Sequence, residues 1–411
     1  MLTLPPKVSV GTRTQLVRLF DNFMAPGLQF LSRFCVEPVE TSGSSLCQGC
    51  FRIFDTFLDL FKETEDSGPV TDTSPCVQQL EDATEPLFFF CLVWSVMATV
   101  EKSGRARFNA WLRGEMVAGS VKKLFPDEGS VYDYAWDMDK GRWVEWMRTV
   151  DEYEHDVRLE FSEIVVPTKD SVCYTYLLDK LVTHGSNVLM CGPTGTGKSI
   201  NILQYLQKGM AANYVPMTLS FSAQTSANQT QDIVDSKLDK RKKGVYGPPA
   251  GQTYVIFVDD LNMPQREKYF AQPPVELLRQ VICQGGWYDR KALSFRKIID
   301  KTFVAAMGPP GGGRNPITER IKRWFNIINY TELGPDSMTL IFNTILENFF
   351  KTFGSDFSDL SGPMVRRRDG RGEEQRCAVC CMLCAVCCVL CAVCCMLYAY
   401  AVCCMPCGTS Y

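Results

Sequence analysis

The chain has 411 residues, with 43 Lys and Arg against 46 Asp and Glu, and a formal net charge of −3. That length allows two or three domains. The mildly acidic balance argues against a nucleic-acid surface, and the only histidines, His155 and His184, argue against a histidine metal site.

In chain order, residues 1–86 read as mainly helical. Met1–Val10 contains Pro5-Pro6 and no apolar h-region, so no secretory signal is expected. The polar stretch from Glu63 to Glu85, with Ser67-Gly68-Pro69 and Ser74-Pro75, reads as a linker. Residues 87–165 read as a helical and irregular bridge. Its Trp94, Trp111, Trp136, Trp143 and Trp146 suit a core better than ligand stacking.

An α/β region follows, from about 166 to 330. The apolar run Asn187–Cys191 enters Gly192-Pro193-Thr194-Gly195-Thr196-Gly197-Lys198-Ser199 as a strand, and Ile200–Leu206 leaves it as a helix. This is a complete G-x-x-x-x-G-K-[ST] phosphate loop. Its glycines let backbone N–H groups curl around a triphosphate, and the positive end of the next helix adds to that field. Lys198 can reach the β/γ-phosphates, and the Ser199 hydroxyl can ligate Mg²⁺. Tyr214–Phe221 reads as the following strand. Tyr254–Val258 is a continuous apolar run of the kind a buried parallel strand needs, and it ends in Asp259-Asp260. At the carboxyl edge of such a sheet, Asp259 would hold Mg²⁺, through water, and Asp260 would polarise the attacking water. Thr302–Met307 and Phe325–Tyr330 read as two more strands, ahead of a helical stretch from Ser337 to Phe353 in a truncated helical lid over 331–363. Strands alternating with helices predict a parallel sheet covered on both faces. The predicted fold class is thus α/β, a P-loop NTPase of the AAA+ layout.

Eight of the 20 cysteines are scattered singly or loosely and suit a reduced intracellular protein with buried thiols. Cys47-x-x-Cys50 lacks a second ligand pair and is not read as a zinc site. The other twelve lie in Cys377–Cys407, an uncharged stretch repeating with a period of seven after the Arg/Gly-rich linker that begins at 364. Three readings stay open for 364–411: a membrane anchor, since about 20 apolar residues span a bilayer; a metal-thiolate tail; or a short tandem DNA repeat read through in the gene model. The third, a non-native tail, is preferred.

Three segments narrow the family. Phe221–Thr230, the Phe257-Val258-Asp259-Asp260-Leu261-Asn262-Met263-Pro264 ending, and Gly308-Pro309-Pro310-Gly311-Gly312-Gly313-Arg314-Asn315-Pro316 resemble the third AAA+ module of dynein heavy chains. The last two resemble axonemal rather than cytoplasmic forms. The resemblance covers roughly 15–365 and implies that residues 1–86 are the helical end of the preceding module. It implies ATP and Mg²⁺ as cofactors, adjacent AAA+ modules and dynein complex subunits as partners, and microtubules only indirectly, through regions absent here. It also implies a cytoplasmic setting at the cilium axoneme, and a nucleotide state that gates the principal motor site.

Departures from a hydrolytic AAA+ pattern point to weakened chemistry. Asp260 stands where active members carry Glu, one methylene longer, and a shortfall near 1 Å can cost roughly 10²-fold. Met307-Gly308 stands where a polar sensor, commonly Asn, ends the strand, and glycine carries no group to orient water. Arg320 and Arg323 precede the last strand, where AAA+ modules carry an arginine finger serving the neighbouring site. The reading is a binder and slow hydrolyser. Its rivals are a non-hydrolysing structural nucleotide clamp and a free-standing AAA+ remodelling ATPase.

Overall fold

The N-terminal helices form where apolar residues recur at helical spacing. In the computed structural model, which describes residues 10–58, 75–150, 153 and 164–351, α1 spans Val10–Phe34, α2 Gly43–Leu58, α3 Pro75–Ser95 and α4 Lys102–Ala118. Helix α2 buries Leu46, Cys50, Ile53, Phe54 and Phe57, the stripe an amphipathic helix turns to a core. The stretch expected as a linker to Glu85 is helical from Pro75 on, and α3 continues through Pro86 to Ser95. Proline at a first helical position removes no needed donor, and Leu80, Ala83 and Thr84 are buried. A hairpin follows, β1 (Tyr134–Asp137) pairing antiparallel with β2 (Arg142–Glu145) and setting Trp136 opposite Trp143. Trp94, Trp136 and Trp146 are buried, while Trp111 and Trp143 pack against the same cluster.

Helix α5 (Lys169–Thr183) starts at Thr168, whose hydroxyl accepts from Ser171 N at 3.2 Å. The chain then runs β3 (Val188–Cys191), α6 (Lys198–Gln204, continued by a π turn to Gly209), β4 (Tyr214–Ser220), α7 (Ala227–Asp235), β5 (Asp239–Lys242), β6 (Val245–Gly247) and β7 (Thr253–Asp259). It closes with α8 (Pro273–Gln284), β8 (Gly286–Tyr288), β9 (Phe295–Ile298), β10 (Lys301–Met307), α9 (Glu319–Lys322), β11 (Asn326–Asn329) and α10 (Pro335–Lys351).

Five strands make a parallel sheet in the order β11-β3-β10-β7-β4. Alternate residues of each strand join different cores. Val188, Met190, Phe257, Val304 and Ala306 pack with α5, α6 and the N-terminal helices. Leu189, Cys191, Ile256, Val258, Ala305 and Met307 pack with Val234 of α7 and Val275, Leu278 and Val281 of α8. Burial on both faces is why these strands read as unbroken apolar runs. A second sheet, β5-β6-β9-β8, lies outside the sequence expectation. The buried Trp287 of β8 anchors it, donating Nε1–H to Asp235 Oδ1 at 3.0 Å.

Residues Met1–Ile341 form one compact unit and Phe342–Tyr411 a second, of which the described part is the last turns of α10. The remainder of the expected lid (352–363) and the linker and cysteine repeat (364–411) lie outside the described residues.

β11 ties the sheet to the N-terminal helices. Asn329 N donates to Ala98 O at 2.8 Å and its Nδ2 to Val100 O at 3.1 Å. The buried Arg105 of α4 donates to Asn329 O at 2.6 Å and to Tyr174 Oη at 3.1 Å, with its guanidinium 4.9 Å from the Tyr132 ring centroid.

Candidate nucleotide site

The strand order sets the chemistry. β3 delivers the phosphate loop and β7 delivers the two carboxylates, on either side of β10. The carboxyl ends of adjacent parallel strands open a crevice there. Gly195 and Gly197 take φ of +83° and +80°, with open space where a Cβ would stand. Their left-handed backbones curl the loop into the N-terminus of α6.

Lys198 folds over this loop. Its Nζ donates to Gly192 O at 2.8 Å, to Pro193 O at 2.6 Å and to Thr196 Oγ1 at 3.3 Å. Thr196 Oγ1 in turn donates to Pro193 O at 3.0 Å. Burial lowers the Lys198 pKa from its ordinary value and the Arg314 charge adds to that, while Asp259 and Asp260 oppose it. The preceding Cys191 thiol is pushed up to about 12 by burial and is inert as a nucleophile.

Ser199 Oγ donates to Asp259 Oδ1 at 2.9 Å, so the two residues singled out for Mg²⁺ meet although 60 positions separate them. A hydroxyl and a carboxylate side by side are the hard oxygen donors that Mg²⁺ takes, so the residues fit that cation. Asp259 Oδ1 also accepts from Asp260 N at 3.0 Å. Asp260 has φ +52°, a left-handed backbone that Asp and Asn tolerate better than longer side chains. Its carboxylate lies 3.6 Å from Arg314 Nη2.

Arg314 is the site residue that motif reading missed. Its Nη1 donates to Thr194 Oγ1 at 3.2 Å. Gly308, read as an absent sensor, bears no polar side chain, yet an ideal Cβ on it would lie 2.6 Å from Arg314 Cδ and Nε. The glycine makes room for a cation from further along. The Gly308–Pro316 loop is bonded to the carboxylate motif. Asn262 Nδ2 donates to Gly308 O at 2.9 Å, Asn315 N to Asn262 O at 3.0 Å and Asn315 Nδ2 to Pro264 O at 3.0 Å. A glycine directly after β10, followed by an arginine six residues on, was the available signal.

Arg320 and Arg323 are not brought to the phosphate loop by any contact among the described residues. Arg320 is 68% exposed and stands 3.8 Å from Glu276 of α8. Arg323 lies against Trp324, and its carbonyl accepts from Arg52 Nη2 of α2 at 3.0 Å. Lys322 Nζ, between them, bonds Glu40 O.

Comparison with known proteins agrees with this geometry. A family model described as "P-loop containing dynein motor region" matches residues 153–333, and another, "Dynein heavy chain AAA lid domain", matches 16–148. Human dynein axonemal heavy chain 1 is 42% identical over 349 residues, covering 80% of this chain and 8% of the relative. Human dynein axonemal heavy chain 3 is 38% identical over 369 residues, covering 85% and 9%. Mouse dynein axonemal heavy chain 12 is 43% identical over 295 residues, covering 68% and 10%. The chain therefore spans a tenth or less of the length of these relatives. With a 5-stranded parallel sheet in this order, a complete phosphate loop and both family matches, the chain belongs to the dynein heavy-chain family, as an AAA motor module of the axonemal type.

Proposed function

We propose that this chain is the third AAA+ module of an axonemal dynein heavy chain, with the helical end of the module before it. In this reading it binds ATP with Mg²⁺, and its nucleotide state gates the principal motor site rather than driving the stroke. The observation that carries the binding claim is the Ser199–Asp259 hydrogen bond beneath the Lys198 loop. Gly192–Ser199 would hold the triphosphate, with Ser199 and Asp259 holding the metal. Mg²⁺ held there would supply positive charge that offsets the charge of the phosphates.

Asp260 would act as the water-polarising base, at a reach one methylene shorter than Glu. Arg320 or Arg323 would serve the preceding module's site. The packing of α9 and Arg323 against Glu40 and Arg52, in the segment that resembles the end of that module, supports this direction. Turnover in the isolated chain would fall far below the general enzyme median of roughly 10 s⁻¹, because the trans arginine for its own site belongs to a following module. The setting would be the ciliary axoneme, with adjacent modules and dynein subunits as partners. The 3.6 Å pairing of Asp260 with Arg314 favours a second reading, a nucleotide clamp that does not hydrolyse.

Titration with a fluorescent ATP analogue tests the binding claim. The wild-type chain saturates, and Lys198→Ala weakens binding by about tenfold or more, as loss of a charged hydrogen-bond donor to phosphate demands. Absence of saturable binding, or equal affinity in the variant, refutes the phosphate-loop assignment.

A further inference from the structure

Two cations bond the loop at 192–199. Lys198 Nζ caps the carbonyls of Gly192 and Pro193, and Arg314 Nη1 reaches Thr194 in the same loop. Two like charges on one loop favour an anion beside them. Arg314 answers with one carboxylate, Asp260, at 3.6 Å, too long for the paired fork contact a guanidinium makes with a carboxylate or phosphate. Its Nε is buried and has no hydrogen-bond partner among the described residues. A buried donor left unused in a site is a group awaiting an acceptor.

The chain goes to some length to place this side chain. Gly311 N donates to Arg314 O and Arg314 N to Gly311 O, both at 3.0 Å. Between them Gly312 and Gly313 take φ of +56° and +88°. Two successive positive φ values define the tight two-residue turn that Gly-Gly favours. The turn doubles the chain back, so Arg314 points at the sheet edge it has just left. Asn262, fully buried, clamps the start of the loop through Gly308 O, and its own carbonyl receives Asn315 N. Gly308 then leaves the volume through which the arginine stem passes.

We propose that Arg314 is the terminal-phosphate sensor of this site: from the loop after β10, a guanidinium bonded to Thr194 and paired with Asp260 distinguishes a nucleoside triphosphate from a diphosphate. The inference rests on the nucleotide reading above. A terminal phosphate offers Arg314 a bidentate acceptor carrying more charge than one carboxylate. It therefore draws the guanidinium from Asp260, and the carboxylate is released only when a triphosphate is present. A diphosphate leaves the Arg314–Asp260 pair closed. The sensor position at the end of β10 is thus filled in cis by a side chain six residues downstream.

The test is calorimetric titration of the full chain, in Mg²⁺, with ADP and with the β,γ-imido analogue of ATP. Arg314→Ala is expected to lose about tenfold in affinity for the triphosphate analogue, the scale of one charge-assisted contact, and to keep ADP affinity within about twofold. Gly308→Ala, which retains the charge but places a Cβ within 2.6 Å of the arginine stem, should reproduce the selective loss. Adding Arg314→Ala to it should change nothing further. Equal loss of both nucleotides, loss of neither, or a Gly308→Ala chain that keeps wild-type selectivity overturns the inference. A wild-type chain that binds neither nucleotide overturns the nucleotide reading itself, a result distinct from unchanged selectivity in a chain that binds.

Discussion

Two glycines of one loop should respond differently to the same methyl group. A Cβ at Gly192 would stand 2.5 Å from Tyr330 O and 2.9 Å from Tyr330 Cβ, at φ +145°. Tyr330 cannot retreat. Its N–H donates to Cys191 O at 2.7 Å, its ring stacks on Tyr174 with centroids 4.0 Å apart, and it is 2% exposed. Gly192→Ala therefore combines backbone strain of about 1–3 kcal/mol with overpacking of similar size. At Gly195 nothing lies within 4 Å of the added Cβ, so Gly195→Ala meets only its φ of +83°. Left-handed backbone there costs about 1–2 kcal/mol. For a module of this size, with a shift of about 2–4 °C per kcal/mol, a central cost of about 4 kcal/mol lowers the melting temperature of Gly192→Ala by about 8–16 °C. The Gly195→Ala chain should drop by about 2–8 °C on the same scale. Paired thermal melts monitored by circular dichroism read the difference. If Gly192→Ala melts no lower than Gly195→Ala, the contact with Tyr330 does not constrain the loop and the reasoning fails.

Asp260 sits at φ +52°, so Asp260→Asn should melt with the wild type, while Asp260→Glu should lose about 1 kcal/mol from the left-handed backbone. In a reconstituted ring supplying the trans arginine, phosphate release should vanish in Asp260→Asn with nucleotide affinity retained; undiminished release would remove Asp260 as base. Lys301 donates to Ile298 O at 2.7 Å, and burial lowers its pKa from 10.5 to about 8. Below about pH 8 the folded chain holds a buried cation at a cost, and between 8 and 10.5 the unfolded chain binds more protons, so this contribution to stability rises with pH. Lys301→Met should consequently be the more stable chain at pH 7, by up to about 3 kcal/mol. The advantage should fade toward pH 10, and an equal difference at both pH values in urea unfolding would refute the assignment.

Much of the site was legible because its chemistry is written locally. The stretches at 188–191, 254–258 and 303–307 are continuous apolar runs since both faces of the sheet are covered. The phosphate loop and Asp259-Asp260 follow such runs directly. The second sheet was not legible: Asp239–Lys242 is four charged residues, and Phe295–Ile298 mixes charge with apolar side chains. Their pairing comes from Trp287 and the turns around them rather than from alternation. Helix α8 hid behind Pro273-Pro274, which reads as a break but sits at the first positions of the helix. Arg314 stayed hidden because its partners Thr194 and Asp260 are reached only through a folded turn. The exposed Arg320 and Arg323, by contrast, have partners in α8 and α2 and none in this chain's phosphate loop among the described residues.

The seam at β11 makes this module a poor insulator. Gly192 abuts Tyr330, Tyr330 follows Asn329, and Asn329 is bonded to Ala98, Val100 and Arg105 in the N-terminal body. Each link is a buried polar bond or a hard contact, so there is no soft element between loop and helix in which a displacement could dissipate. With nucleotide bound as proposed, a displacement of α4 would change nucleotide affinity, and occupancy of the loop would restrain α4, each by the same free energy. Mechanical load and chemical potential would then be linked across a few residues at the edge of one sheet.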